Sequence, residues 1–315
     1  MADGEENYGA GTNDDLADGA DRALARLIGA RKRYGEAVAL DGLDLEVRPG
    51  ELLAVLGPNG AGKSTAIALM LGMQRLDAGE VRLFGRSPHD LAARRGIGVM
   101  MQEVMLPDAL QVRDLIAMTS AYYPNPLTMA ETLALSGTDK LAKRPYAKLS
   151  GGQKRQAQFA LSICGRPRLL FLDEPTTGLD IKARETMWAA LRGLVADGTS
   201  IVLTTHYIEE AEALADRVVV MAKGRRIAEG AVQEIRAAVV RKRVDCATAL
   251  DLAAIRAWPE VTTAMREGPQ VSITTADAEA VVRRLLAADP TLSDLEVRRA
   301  GLSEAFAELT QEPAE

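Results

Sequence analysis

The sequence predicts an α/β fold in two parts: a parallel sheet with helices on its faces over about residues 25–230, then a small α+β domain over 231–315. Three observations predict it. Strand-like and helix-like stretches alternate up to Gly230, the pattern of parallel strands joined by helical crossovers. A glycine-rich loop, GPNGAGKST over residues 57–65, stands between an apolar pentapeptide and a helix-like run. Beyond Gly230 the texture changes to short strands and helices in the order β-α-β-β-α-β.

Taken in order, residues 1–24 open with seven acids (Asp3, Glu5, Glu6, Asp14, Asp15, Asp18, Asp21) and no Lys or Arg before Arg22, which reads as a solvated, disordered tail. Residues 41–51, with Pro49-Gly50 as a turn, read as an antiparallel hairpin at the sheet edge. Leu52-Leu53-Ala54-Val55-Leu56 is a strand buried in a parallel sheet, and residues 66–71 continue as a helix. Further strands are expected over 96–101, 169–172, 200–205 and 218–221, and helices over 151–164, 183–196 and 208–215. Between Glu103 and Leu149 strand signals vanish, and helix-like pieces are broken by Pro107, Pro124, Pro126 and Pro145, which predicts a helical insertion. In the second part, strands over 244–247, 261–266, 271–275 and 295–299 alternate with helices over 249–257 and 276–288. Together they give a ferredoxin-like unit followed by a last helix over 303–309.

Composition narrows the class. A chain of 315 residues supports two domains, and a formal net charge of -6 disfavours a nucleic-acid partner, whose binding faces are usually basic. Two cysteines, Cys164 and Cys246, are too few for a disulfide framework, and Cys164 in its apolar setting reads as a buried, inert thiol. No uncharged apolar run reaches the length of a membrane span, and no signal-peptide pattern opens the chain.

The glycine-rich loop carries the first chemistry. Gly57, Gly60 and Gly62 let the backbone turn tightly, so that N–H groups of Pro58-flanked Asn59, of Ala61 and of the new helix face an anionic oxygen. Lys63 is placed for the β- and γ-phosphates of a nucleoside triphosphate, Ser64 for Mg²⁺, and Thr65 follows in the first helical turn. A second constellation is the apolar strand ending in Asp173-Glu174. There Asp173 suits the Mg²⁺ shell and Glu174 suits orientation of an attacking water; a solvated acidic strand end is the alternative. A third is Leu149-Ser150-Gly151-Gly152-Gln153, a capped helix start with two glycines exposing backbone N–H groups.

With LSGGQ just upstream of LLFLDEP, the chain resembles the ATP-binding subunits of ABC transporters, over about residues 27–230. The resemblance implies an ABC ATPase (P-loop NTPase) core, ATP and Mg²⁺ as cofactors, and an active ATPase. It also assigns roles residue by residue. Tyr34 resembles the aromatic that stacks on adenine, against the alternative of a half-buried strand tyrosine. Gln102 is similar to the glutamine that touches Mg²⁺ and water, Asp180 lies in a Gly-Leu-Asp turn like the one at the dimer interface, and His206 matches the histidine that contacts the γ-phosphate. His89, by contrast, reads as a surface loop residue. Ser150, Gly151, Gly152 and Gln153 would meet the nucleotide of a second copy, so the family implies a head-to-tail dimer, either of two identical chains or with a related ATPase. Polytopic permease subunits would hold it at the cytoplasmic face of the cell membrane, and nucleic acid is not expected. Met100, Met101, Met105, Leu106, Leu110, Tyr122 and Tyr123 could form the permease contact or ordinary core. The phrase LTTHYIEEAE and the ending LSEAFAELT resemble the daunorubicin-resistance type of exporter; an importer ATPase, or a soluble non-transport ABC protein, is the alternative.

Overall fold

The computed structural model describes residues 23–102, 104–238 and 242–299. The predicted acidic tail up to Arg22, and the predicted last helix over 303–309, lie outside these residues.

The chain begins with β1 (Ala25–Tyr34) and β2 (Ala37–Val47), paired antiparallel around Gly35, whose φ of 59° needs a residue without a Cβ. β3 (Leu52–Leu56) and α1 (Lys63–Met70) follow, then β4 (Ala78–Leu83), which pairs antiparallel with β1. Next come α2 (Leu91–Arg94), β5 (Ile97–Met100), α3 (Val112–Ser120), α4 (Met129–Ser136), α5 (Gly151–Ile163), β6 (Leu169–Asp173) and α6 (Ile181–Ala196). β7 (Ser200–Thr205), α7 (Ile208–Leu214), β8 (Arg217–Ala222), β9 (Arg225–Gly230) and α8 (Val232–Ala238) complete the first part.

The predicted hairpin is in the wrong place. Pro49-Gly50 joins β2 to β3, and these belong to different sheets: β2-β1-β4 and β5-β6-β7-β3-β8-β9. β3 is buried at all five positions and pairs with β7 and β8 on its two sides, so it has no free edge to offer β2. The larger sheet is parallel except for β9, which returns antiparallel from β8.

Alternation along the central strands divides the core. Leu53, Val55, Leu169, Phe171 and Val202 face α1 and the three-stranded sheet, while Leu170, Leu172, Ile201 and Leu203 face Phe159, Ile163, Met187 and Leu191 of α5 and α6. Full burial of one such side chain contributes about 1.5–3 kcal/mol. The insertion has its own cluster, in which Val112, Leu115 and Ile116 pack on Tyr146, Ala157, Ala160 and the buried Cys164.

The second part comprises β10 (Lys242–Ala247), α9 (Leu252–Arg256), β11 (Val261–Glu267), β12 (Gln270–Thr275), α10 (Ala278–Ala288) and β13 (Ser293–Arg299). The strands form an antiparallel sheet in the order β11-β12-β10-β13, with a core of Val244, Cys246, Ile255, Val271, Ile273, Val281 and Leu285. α8 does not share that core. Its Val232 and Ile235 pack with Val218 and Val220 of β8, so the change of texture at Gly230 falls one helix before the cores part.

Candidate active site

The glycine loop is squeezed between two other strands. A Cβ at Gly57 would lie 2.6 Å from the Met221 carbonyl oxygen, and one at Gly62 would lie 2.5 Å from that of Ala39. Gly60 and Gly62 also take φ of 82° and 100°. α1 starts directly on Gly62 with no side-chain cap, which leaves its first N–H groups for an anion. Lys63, only 7% exposed, folds back over the loop and donates from Nζ to the carbonyls of Gly57 (2.7 Å) and Pro58 (3.1 Å). Burial pushes its ammonium pKa down, opposed by the carboxylates of Glu174 and Asp173.

The carboxyl end of β6 lies beside the loop. Asp173 is buried and accepts hydrogen bonds from the Thr204 hydroxyl and from Ser64 Oγ (3.4 Å). Glu174 takes a φ of 49°, and its N–H donates to the Thr204 carbonyl at 3.0 Å. One carboxylate oxygen, Oε2, accepts from Gln102 Nε2 (3.2 Å) and from the Thr177 hydroxyl (3.5 Å); the other, Oε1, lies 3.1 Å from His206 Nδ1. Four strand ends thus converge, since Gln102 follows β5, Glu174 follows β6, His206 follows β7 and the loop follows β3.

These groups line a cleft of about 690 Å³, together with Asn59, Gly60, Ala61, Ser64, Thr65 and the antiparallel edge residues Tyr34, Ala37, Val38 and Ala39. Tyr34, the last residue of β1, is 46% exposed among these lining residues, with the Lys32 ammonium 5.5 Å from its ring centroid.

Ser150, Gly151, Gly152, Gln153 and Asp180 are not among the lining residues. Ser150 and Gln153 form a reciprocal cap on α5, with Ser150 Oγ accepting from Gln153 N (3.3 Å) and Gln153 Oε1 accepting from Ser150 N (3.1 Å). Asp180 caps α6 through Ala183 N at 2.8 Å. The two helix starts touch: a Cβ on Gly152 would meet the Gly178 carbonyl oxygen at 3.4 Å. His89 is exposed, as expected. Of the seven candidate contact residues, Met105 (100% exposed) and Tyr122 (77%) are open, whereas Met100 is buried and Tyr123 packs beneath Gly165.

Sequence reasoning missed two contributors to the site and one buried acid of α7. Thr204 anchors both acids, and a threonine inside an apolar strand carries no signal for that. Arg155 reaches the backbone of Met101, Gln102 and Glu174 from α5, but on sequence it is one more charge on a helix. Glu210 of α7 is fully buried, accepts from Trp188 Nε1 at 3.1 Å, and burial pushes its carboxyl pKa up.

Comparison with known proteins agrees with this geometry. The ABC transporter family profile matches residues 40–177. Daunorubicin resistance ATP-binding protein DrrA3 of Streptomyces coeruleorubidus is 38% identical over 312 residues, covering 92% of this chain and 96% of that one. Nod factor export ATP-binding protein I of Ralstonia nicotianae is 41% identical over 214 residues, 66% of this chain and 67% of its own. Among solved structures, the dimeric bacterial ABC transporter cassette MJ0796 superposes with a TM-score of 0.61 at 25% identity, over 66% of this chain and 98% of that one; it is also known in a dimeric post-hydrolysis state with ADP and phosphate. With a phosphate loop, a strand-end glutamate and a near full-length relative all in agreement, this chain belongs to the ABC transporter family as an ATP-binding subunit, an ATPase coupled to transport.

Proposed function

We propose that two copies of this chain, or this chain and a related ATPase, close head-to-tail around two Mg-ATP and drive efflux through separate permease subunits. The observation that carries this reading is the division of the site. Glu174, Gln102, His206 and the loop line one cleft, while the helix start at Ser150 and the turn at Asp180 stand outside it. A second copy supplies the missing half when its Ser150 and Gly152 meet the γ-phosphate.

Within the cleft, ATP lies with its base against Tyr34 and its triphosphate along Gly60–Thr65, where the uncapped N–H groups of α1 receive it. Lys63 exchanges the Gly57 and Pro58 carbonyls for phosphate oxygens. The Ser64 hydroxyl and the Asp173 carboxylate, 3.4 Å apart, are hard oxygen donors that fit Mg²⁺. Phosphate oxygens and water would complete the shell of such a cation, assisted by Gln102. Such an ion, when bound, neutralises charge on the phosphates. Glu174 and Gln102 orient a water whose oxygen bonds to the γ-phosphorus as the bridging oxygen leaves with ADP, and His206 reaches the same phosphate. Loss of the γ-phosphate removes the link across the interface, and the dimer opens.

Export is supported by the relative named for Nod factor export, and the relative named for daunorubicin resistance, which matches over 92% of this chain, is in keeping with it. Among the described residues no helix is long and apolar enough to cross a membrane. The exposed Val104, Met105, Met118 and Tyr122 of the insertion offer an apolar surface for a permease contact, through which the chain would be held at the cytoplasmic face of the membrane. Sizing of Glu174→Gln protein with saturating Mg-ATP tests the dimer: the variant is expected to double in mass with ATP and not with ADP. A monomer in both conditions sinks that part of the reading. ATP-driven accumulation in inverted membrane vesicles tests direction, and uptake in the opposite sense would make the chain an importer subunit.

A further inference from the structure

We propose that Arg155 is a positioning residue that ties the helix beginning at Ser150 to the glutamine and glutamate of the same chain's cleft. The inference rests on the ATPase reading above and goes beyond it, because Arg155 is not among the residues lining the cleft.

Arg155 is only 8% exposed, unusual for an arginine in the second turn of a helix. Its guanidinium serves four acceptors. Nη1 donates to the Met101 carbonyl (2.9 Å), the Gln102 carbonyl (3.0 Å) and Gln158 Oε1 (3.1 Å), and Nη2 donates to the Glu174 carbonyl (2.8 Å). Three of the four are backbone oxygens just beyond the ends of neighbouring parallel strands, where Met100 of β5 pairs with Leu172 of β6. One rigid planar group thus joins the two strand ends that present Gln102 and Glu174. Gln158, itself 8% exposed, holds the guanidinium from the far side and donates to the Tyr146 hydroxyl at 2.9 Å.

The backbone of Glu174 gives this contact its purpose. A φ of 49° is a left-handed state that favours a residue without a Cβ, and at Glu174 neighbours hold both sides of the residue. Thr204 takes the N–H and Arg155 takes the carbonyl. Arg155 lies five residues from Ser150, about 7.5 Å along a helix that moves as one piece. A displacement of the α5 start by whatever it meets across the interface therefore reaches the carbonyls of Gln102 and Glu174 through a single side chain. A shift of about 1 Å at a reacting group can cost as much as 10²-fold in rate.

The test uses the full chain as wild type, Arg155→Gln, Arg155→Lys, Glu174→Asp and the Glu174→Asp/Arg155→Gln double variant. Four quantities are read for each: melting temperature, dissociation constant for a fluorescent ATP analogue, kcat and KM for ATP. For folded Arg155→Gln the expected result is analogue affinity within about twofold of wild type and kcat lower by tenfold or more, with partial recovery in Arg155→Lys, the pattern of an interaction that acts in the transition state. In a Glu174→Asp background the same Arg155→Gln change is expected to cost less than about twofold, since the group it positions is already displaced. A folded Arg155→Gln with kcat within twofold of wild type overturns the proposal, as does weakened nucleotide affinity with unchanged kcat. Should Arg155→Gln fail to fold, Arg155→Lys decides by the same split, and a Lys variant that also fails to fold, or that turns over like wild type, overturns it. A wild type without ATPase activity would instead sink the underlying reading.

Discussion

Glu174 shows how much of the site one residue concentrates. Its side chain meets Gln102, Thr177 and His206, and its backbone holds a φ of 49°, a state that costs on the order of 1–3 kcal/mol for a non-glycine residue. Replacement by Gln keeps the shape and removes the negative charge. It is expected to lower kcat by about 10²–10⁴-fold while ATP still binds, measured by phosphate release beside equilibrium binding. Near wild-type turnover would remove Glu174 from the chemistry. Glu210 makes a different prediction. Burial raises its folded-state pKa above the ordinary 4.5, outweighing the hydrogen bond from Trp188. Between the unfolded and folded values the native state binds more protons than the unfolded chain, so this group's stabilisation is complete at low pH and fades as pH rises. Glu210→Gln retains the acceptor for Trp188 and does not titrate. Its melting temperature relative to wild type should therefore climb from pH 4.5 to pH 8; a constant or falling difference would show that Glu210 is not held protonated.

At the scale of elements, the loop between β3 and α1 is set by what surrounds it. Gly62→Ala would force a Cβ to 2.5 Å from the Ala39 carbonyl oxygen at a φ of 100°, so the loop must move. The expected outcome is loss of measurable ATP-analogue binding in a protein whose circular dichroism is unchanged. Wild-type affinity would mean the loop tolerates a shape the phosphates do not need. Phe171→Ala in the middle of β6 empties a fully buried site between α1 and the strands and should cost about 3–5 kcal/mol in a denaturant titration. The central strands and long helices were legible because burial on both faces leaves a continuous apolar run and the helix starts carry caps. β4, with Glu80 and Arg82 and one fully buried residue, has no such run, and only its pairing with β1 makes it a strand.

For the whole molecule, Arg217 is the tie between layers. From β8 its guanidinium pairs with Glu51 and Glu229 and donates to the Glu46 carbonyl at 2.6 Å, joining both sheets of the nucleotide-binding part. Arg217→Leu leaves Glu51 and Glu229 without their shared cation and should destabilise by about 3–5 kcal/mol, read as a fall in denaturation midpoint. A neutral result would show that water relaxes the two acids. What the sequence determined alone was the family and the main architecture: the loop, the strand-end acids and the capped glycine helix are local patterns that residue types and their spacing make legible. The tertiary structure decided which of those patterns share a cleft, where the hairpin turns, and that α8 stays with the first core. It also decided that Arg155 and Glu210 are buried between elements far apart in the chain. Such facts depend on the packing of faces and on burial, and no window of consecutive residues contains the neighbour that causes them.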